Sequence, residues 1–122
     1  MSDYFGIKGL ENFYFEDSFV LAIEESKDEL AFLLDLVLTE EHPLYSEPKY
    51  DEQYCYKKAR LIFKKCEAIN WIEKTNNLFS DNSGEIDLGN IDSFEKDGKE
   101  NHLEGDWGEV ILVTDLVEVS FV

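Results

Sequence analysis

A mainly β protein is what this sequence predicts: an antiparallel β-sandwich or strongly bent sheet of about six strands, with at most one or two short helices. Three observations carry that expectation. Aromatic and β-branched residues gather in short runs that alternate at a period of two. Asn, Asp, Ser and Gly clusters punctuate those runs. The chain has 122 residues, 43% of them hydrophobic and 14% aromatic, so it carries enough apolar material for one packed core and not the composition of a disordered segment. A single domain over residues 1–122 is expected.

The first strong strand signal is Phe13 to Glu25, FYFEDSFVLAIEE, in which Phe19, Leu21 and Ile23 alternate with Val20, Ala22 and Glu24. The polar stretch Ser26-Lys27-Asp28-Glu29 interrupts it. The segment 29–38, ELAFLLDLVL, fits two periods. Leu30, Phe32, Leu34, Leu36 and Leu38 share a face at strand period; Leu30, Leu33, Leu34, Val37 and Leu38 share one at helix period, with Ser26 and Glu29 as a capping box. The strand is preferred, because a hairpin needs only the short polar turn and an element apolar on both faces suits the centre of a sheet.

Residues 39–53, TEEHPLYSEPKYDEQ, hold both prolines and read as a long loop. In the next segment, 54–74, Ala59, Leu61 and Phe63 alternate, the phase slips at Lys64-Lys65, and it resumes at Ile69 and Trp71. That predicts a bulged strand or a kinked strand pair. A helix over 56–72 is the alternative, with Ala59, Ile62, Phe63, Cys66 and Ile69 on one face. Asp97-Gly98 signals a tight turn between two short strands, and Gly105-Asp106-Trp107-Gly108 a turn or bulge. The final ribbon places Ile111, Val113, Val117, Val119 and Phe121 on one side, with a break at Thr114-Asp115 that reads as a bulge or a turn joining two strands.

Charge narrows the function classes. Lys and Arg number 11 against 28 Asp and Glu, a formal net charge of −17. Such a chain repels nucleic-acid phosphates and anionic membrane surfaces, and attracts a basic protein partner. No basic n-region with an apolar core opens the sequence, and no apolar run is long enough to span a bilayer. A cytoplasmic location follows, with Cys55 and Cys66 as reduced thiols rather than a disulfide framework. Oligomeric state is left open; an apolar edge strand could pair into a dimer.

Specific catalytic motifs are absent: there is no phosphate-binding glycine loop, no nucleophile elbow and no zinc-ligand spacing. No cofactor or metal is expected. Four weaker patterns remain. Asp81, Ser83, Glu85, Asp87 and Asp92 follow an EF-hand-like count, but Ile86 stands where that loop needs glycine. His42, in the proline-containing loop, is a candidate base with nearby acids or with Cys55; the other histidine is His102. Trp107 is either a ligand-stacking ring or a plug at the end of a sandwich. Tyr45, Tyr50, Tyr54 and Tyr56, with Glu47, Asp51 and Glu52 beside them, form a tyrosine-and-acid surface in which rings supply anchors and carboxylates supply steering. The partner-binding residues expected from it are Tyr45, Tyr50, Asp51, Glu52 and Tyr54.

The segments FEDSFVLAIEE, HPLYSEP, YCYKKARLIF and LEGDWGEVILV together resemble small, uncharacterised single-domain bacterial proteins. Some acidic β-rich proteins of this look serve as immunity proteins in polymorphic toxin systems. The resemblance spans most of the chain, implies a binding role and carries over no functional residue. The expected function is a non-enzymatic acidic protein-binding module, an immunity-type inhibitor of a basic toxin. A small hydrolase or metal-dependent enzyme using His42, and a structural domain, are the alternatives.

Overall fold

The alternating apolar runs build nine strands in two antiparallel sheets, seen in a computed structural model that describes residues 2–3, 13–40, 42, 45, 47, 55–74, 79–80 and 86–122. No helix occurs among the described residues. The strands in chain order are β1 (Ser2–Asp3), β2 (Phe13–Glu25), β3 (Leu30–Leu38), β4 (Cys55–Lys64), β5 (Ala68–Lys74), β6 (Phe79–Ser80), β7 (Ile86–Asp87), β8 (Ile91–Asp97), β9 (Glu100–Gly105), β10 (Gly108–Val113) and β11 (Leu116–Phe121). One sheet runs β1-β8-β9-β10-β5 and the other β11-β4-β3-β2, while β6 and β7 pair separately.

Segments 29–38 and 56–72 are therefore strands, and the mainly β expectation holds with more strands than the six expected. Two apolar segments account for most of the excess, because each crosses from one sheet to the other. Segment 54–74 splits into β4 and β5 at Lys65–Glu67, where Lys65 takes a φ of 49°. The C-terminal ribbon splits into β10 and β11 at Thr114-Asp115. These two crossings lie together. Glu67 N–H donates to Val113 O (2.8 Å), and the buried Thr114 hydroxyl donates to Lys64 O and accepts Leu116 N–H. Buried Asn101 donates through Nδ2 to Leu112 O and Thr114 O, bracing the step.

The crossing also resets the side-chain phase. Val110 and Leu112 point inward from β10, whereas Val117 and Val119 point inward from β11. The single face that the sequence assigns to Ile111, Val113, Val117, Val119 and Phe121 is thus corrected: Ile111 and Val113 lie on the outward side.

The core is the space between the sheets. Leu30, Phe32, Leu34, Leu36 and Leu38 of β3 are all buried, and Leu30 and Phe32 stand opposite Phe63 and Leu61 of β4. The facing sheet contributes Ile91, Phe94, Leu103, Val110 and Leu112. Each such side chain contributes roughly 1.5–3 kcal/mol by leaving water. Ala31 and Val37, on the opposite side of β3, are buried too, as a central strand requires.

Strand β2 is bulged. Tyr14 pairs Val37 and Phe19 pairs Asp35, so five steps on β2 span two on β3. Ser18 fills the gap: its hydroxyl accepts Val37 N–H (3.0 Å) and donates to Tyr14 O (2.8 Å). Past the bulge, Val20 N–H donates to Gly89 O and Val20 O accepts Leu88 N–H, tying β2 to the segment that leads into β8.

Two hairpins position the outward face of the five-stranded sheet. Gly98 (φ +58°) opens the two-residue β8–β9 turn, with the φ sign of a type II′ turn. The β9–β10 turn places Gly105 opposite Gly108. Gly108 takes φ +134°, and a Cβ there would meet Glu73 O at 2.3 Å. Trp107 in that turn is 1% exposed, packed against Phe32 (5.0 Å between centroids) and Trp71 (6.0 Å). It plugs the core rather than offering a stacking surface.

Candidate functional site

Burial fixes which side of each strand faces water. In β9, Asn101 and Leu103 are buried, so Glu100, His102 and Glu104 point outward; in β10, Val110 and Leu112 are buried, so Glu109, Ile111 and Val113 do. The register then aligns them in rows across the sheet. Glu73 of β5 stands opposite Glu109 of β10, which stands opposite Glu104 of β9. In the next row, Ile111 lies opposite His102, and His102 opposite Glu95 of β8. The third row joins Val113, Glu100 and Asp97. A half-buried apolar stripe, Ile111 and Val113, is thus bordered by Glu73, Glu95, Asp97, Glu100, Glu104 and Glu109.

Among the described residues, the basic partner of these carboxylates is His102, whose Nε2 lies 2.6 Å from Glu109 Oε2. Among the described residues, the Lys and Arg ion pairs go instead to Glu24, Glu25, Glu67, Asp115 and Glu118. Like charges directly opposite on neighbouring strands repel, so the row Glu73–Glu109–Glu104 costs stability. The trio His102, Glu104 and Glu109 brings its ligand atoms within 4.8 Å of one another.

The sequence-derived candidates fall elsewhere. Tyr45 is half-buried against the core, and its N–H donates to His42 O (2.9 Å). Tyr50, Asp51, Glu52 and Tyr54 lie outside the described residues. Tyr56 is half-buried with its ring 6.0 Å from that of Phe19, and Glu47 is exposed. His42 packs against the rings of Phe13 (5.0 Å) and Phe121 (5.6 Å), which also touch each other (6.2 Å), and burial pushes its pKa below the usual histidine range. Of the EF-hand-like run, Asp81, Ser83 and Glu85 lie outside the described residues; Ile86 and Asp87 form β7 and Asp92 stands on β8, so the run is divided between strands. Cys66 is a free thiol; burial, with Asp28 and Glu29 nearby, pushes its pKa up and keeps it protonated.

One open depression of about 300 Å³ lies beside the β2–β3 hairpin, lined by Glu24, Glu25, Ser26, Glu29 and Arg60 among others. Among the described residues its lining holds a serine and no histidine. No helix among the described residues is long and apolar enough to cross a membrane.

The acidic rows escape a search for fixed motifs because their members are distant in sequence. The signal that finds them is alternation: His102 and Glu104 two apart on one strand, then a Gly105–Gly108 turn that folds Glu109 back beside them. Comparison with protein families, curated proteins and solved structures finds no match.

Proposed function

We propose that this chain is a non-enzymatic binding module whose acidic outer sheet face docks a basic protein, in the manner of an immunity-type inhibitor of a basic toxin. The row Glu73–Glu109–Glu104 carries the reading. Three carboxylates in register on adjacent strands destabilise the free protein, and a cationic partner relieves that cost on docking. The apolar stripe Ile111–Val113, with the 56%-exposed Ile72 on edge strand β5, supplies the desolvated centre that an interface needs within its charged border. The net charge of −17 adds long-range steering toward that partner. The tyrosine-bearing segment Tyr45, Tyr50, Asp51, Glu52 and Tyr54 remains a further contact region of this proposal.

The test is affinity capture from a lysate of the source cells, at low and moderate salt, with three baits. The wild type and a Glu24→Gln/Glu118→Gln control should retain the same basic protein, and moderate salt should weaken retention. A Glu95→Gln/Glu100→Gln/Glu104→Gln bait should lose it. A captured nuclease should then be inhibited by stoichiometric wild-type protein. Capture that does not distinguish the two substituted baits, or that is indifferent to salt, overturns the reading.

A further inference from the structure

The same face holds an arrangement that a partner surface does not require. His102 and Glu104 project from one side of β9, and Glu109 stands directly across from Glu104 on β10. One imidazole nitrogen and two carboxylate oxygens come within 4.8 Å of one another. Ligands bound to one ion at roughly 2.0–2.2 Å lie about 3–4 Å apart, so small rotations of the two flexible Glu side chains would seat all three around a common centre. The contact of 2.6 Å between His102 Nε2 and Glu109 Oε2 would open slightly to admit an ion.

Three features favour an ion here over a solvated acidic patch. The third donor is a histidine whose nitrogen points at the carboxylates, which a run of surface acids does not supply. His102 and Glu109 are only 30% and 25% exposed, so their charges are screened less than those of a free surface pair. The backbone beneath them is fixed: the turn joining β9 to β10 is anchored by buried Trp107 and by Asp106, whose carboxylate accepts Asn90 N–H (3.1 Å). No described lysine or arginine pairs with Glu104 or Glu109, and Glu73 adds a further negative charge across from Glu109.

We propose that His102, Glu104 and Glu109 form a binding site for one divalent transition-metal ion on the outward face of the β9–β10 hairpin. The mixed nitrogen and oxygen donor set suits zinc, cobalt or manganese; calcium and magnesium prefer all-oxygen shells. With three protein ligands, the remaining coordination positions are open to water or to a partner's side chain.

Titration of the chelator-treated protein with ZnCl2 by calorimetry, with CoCl2 absorption as a spectroscopic readout, tests this. Wild type and His42→Ala should each take up one equivalent. His102→Ala and Glu104→Gln should each bind at least tenfold more weakly, with circular dichroism confirming an unchanged fold. Glu104 is exposed, so its variant remains informative if His102→Ala misfolds. Binding should also weaken from pH 7.5 to 5.5, because protons compete for the same donors. No uptake by the wild type, or uptake that both ligand variants retain, overturns the site. The titration uses metal alone, so its failure would be distinct from a failure of the partner-capture experiment.

Discussion

The two outward faces of the sandwich handle charge in opposite ways. On the four-stranded sheet, Arg60 pairs with Glu24 (2.8 Å) and Lys64 with Glu118 (2.7 Å), and Lys58 stands opposite Asp35. On the outward face of the five-stranded sheet, Glu73, Glu109 and Glu104 stand in line, and the basic group beside them is His102. The basic cluster of segment 54–74 serves one face because Lys58, Arg60 and Lys64 share the outward side of β4. Alternation, which put Ala59, Leu61 and Phe63 in the core, placed the cations between them on the opposite side. Net charge is thus a poor guide to local potential: one face is locally compensated, and the other lines up carboxylates that no described Lys or Arg pairs.

The largest effect tests what the two faces share. Trp107 packs against Phe32 of one sheet and Trp71 of the other. Trp107→Ala should cost about 3–5 kcal/mol, through lost burial and the cavity left behind. Among the described residues the buried indole Nε1 has no hydrogen-bond partner, a state that itself costs about 1–3 kcal/mol. Trp107→Phe keeps much of the ring contact and removes that orphan donor, so its loss should be far smaller. Urea unfolding of both variants checks the ranking, and equal losses would contradict it.

A smaller effect distinguishes the faces by sign. Glu104→Gln removes a like charge directly opposite Glu109 and should raise stability by about 0.2–1 kcal/mol at low salt. Glu118→Gln breaks the pair with Lys64 on the other face and should lower stability by the smaller amount, because solvent screens an exposed pair. Added salt should shrink both changes toward zero. Thermal melts of the two variants at low and high ionic strength would show the opposite signs; a common sign would mean that the faces do not differ as described.

Much of this fold was legible from periodicity, and much of the site was not. Alternation in Leu30 to Leu38 outweighed a competing helix pattern because the polar turn Ser26–Glu29 and apolar residues on both sides suit a central strand. The phase slip at Lys64-Lys65 marked the passage from β4 to β5, and Asp97-Gly98 marked the β8–β9 hairpin. What periodicity could not supply was the partner of each strand. Val110 and Val117 belong to one ribbon yet to different sheets, since Thr114 turns the chain through hydrogen bonds to Lys64 and Leu116, remote and local at once. The acidic rows depend on that missing information: Glu73 and Glu109 become neighbours only when β5 pairs with β10. His42 drew attention as an isolated histidine in a loop, while His102 lay among ordinary strand residues.

The smallest effect separates His42 from both faces. It packs at one end of the sandwich against Phe13 and Phe121, and burial lowers its pKa from the ordinary 6.5. In the unfolded chain the imidazole titrates near that ordinary value, so between the two values the unfolded state binds more protons than the folded one. Stability then rises with pH across this window. The contribution from neutral His42 is full above the unfolded value and is lost as pH falls through the lower folded value. His42→Gln removes this titration, so the fall in melting temperature from pH 7.5 to 5.0 should be smaller in the variant than in the wild type. An equal fall in His42→Gln and wild type would mean that the sandwich end is not the titrating element.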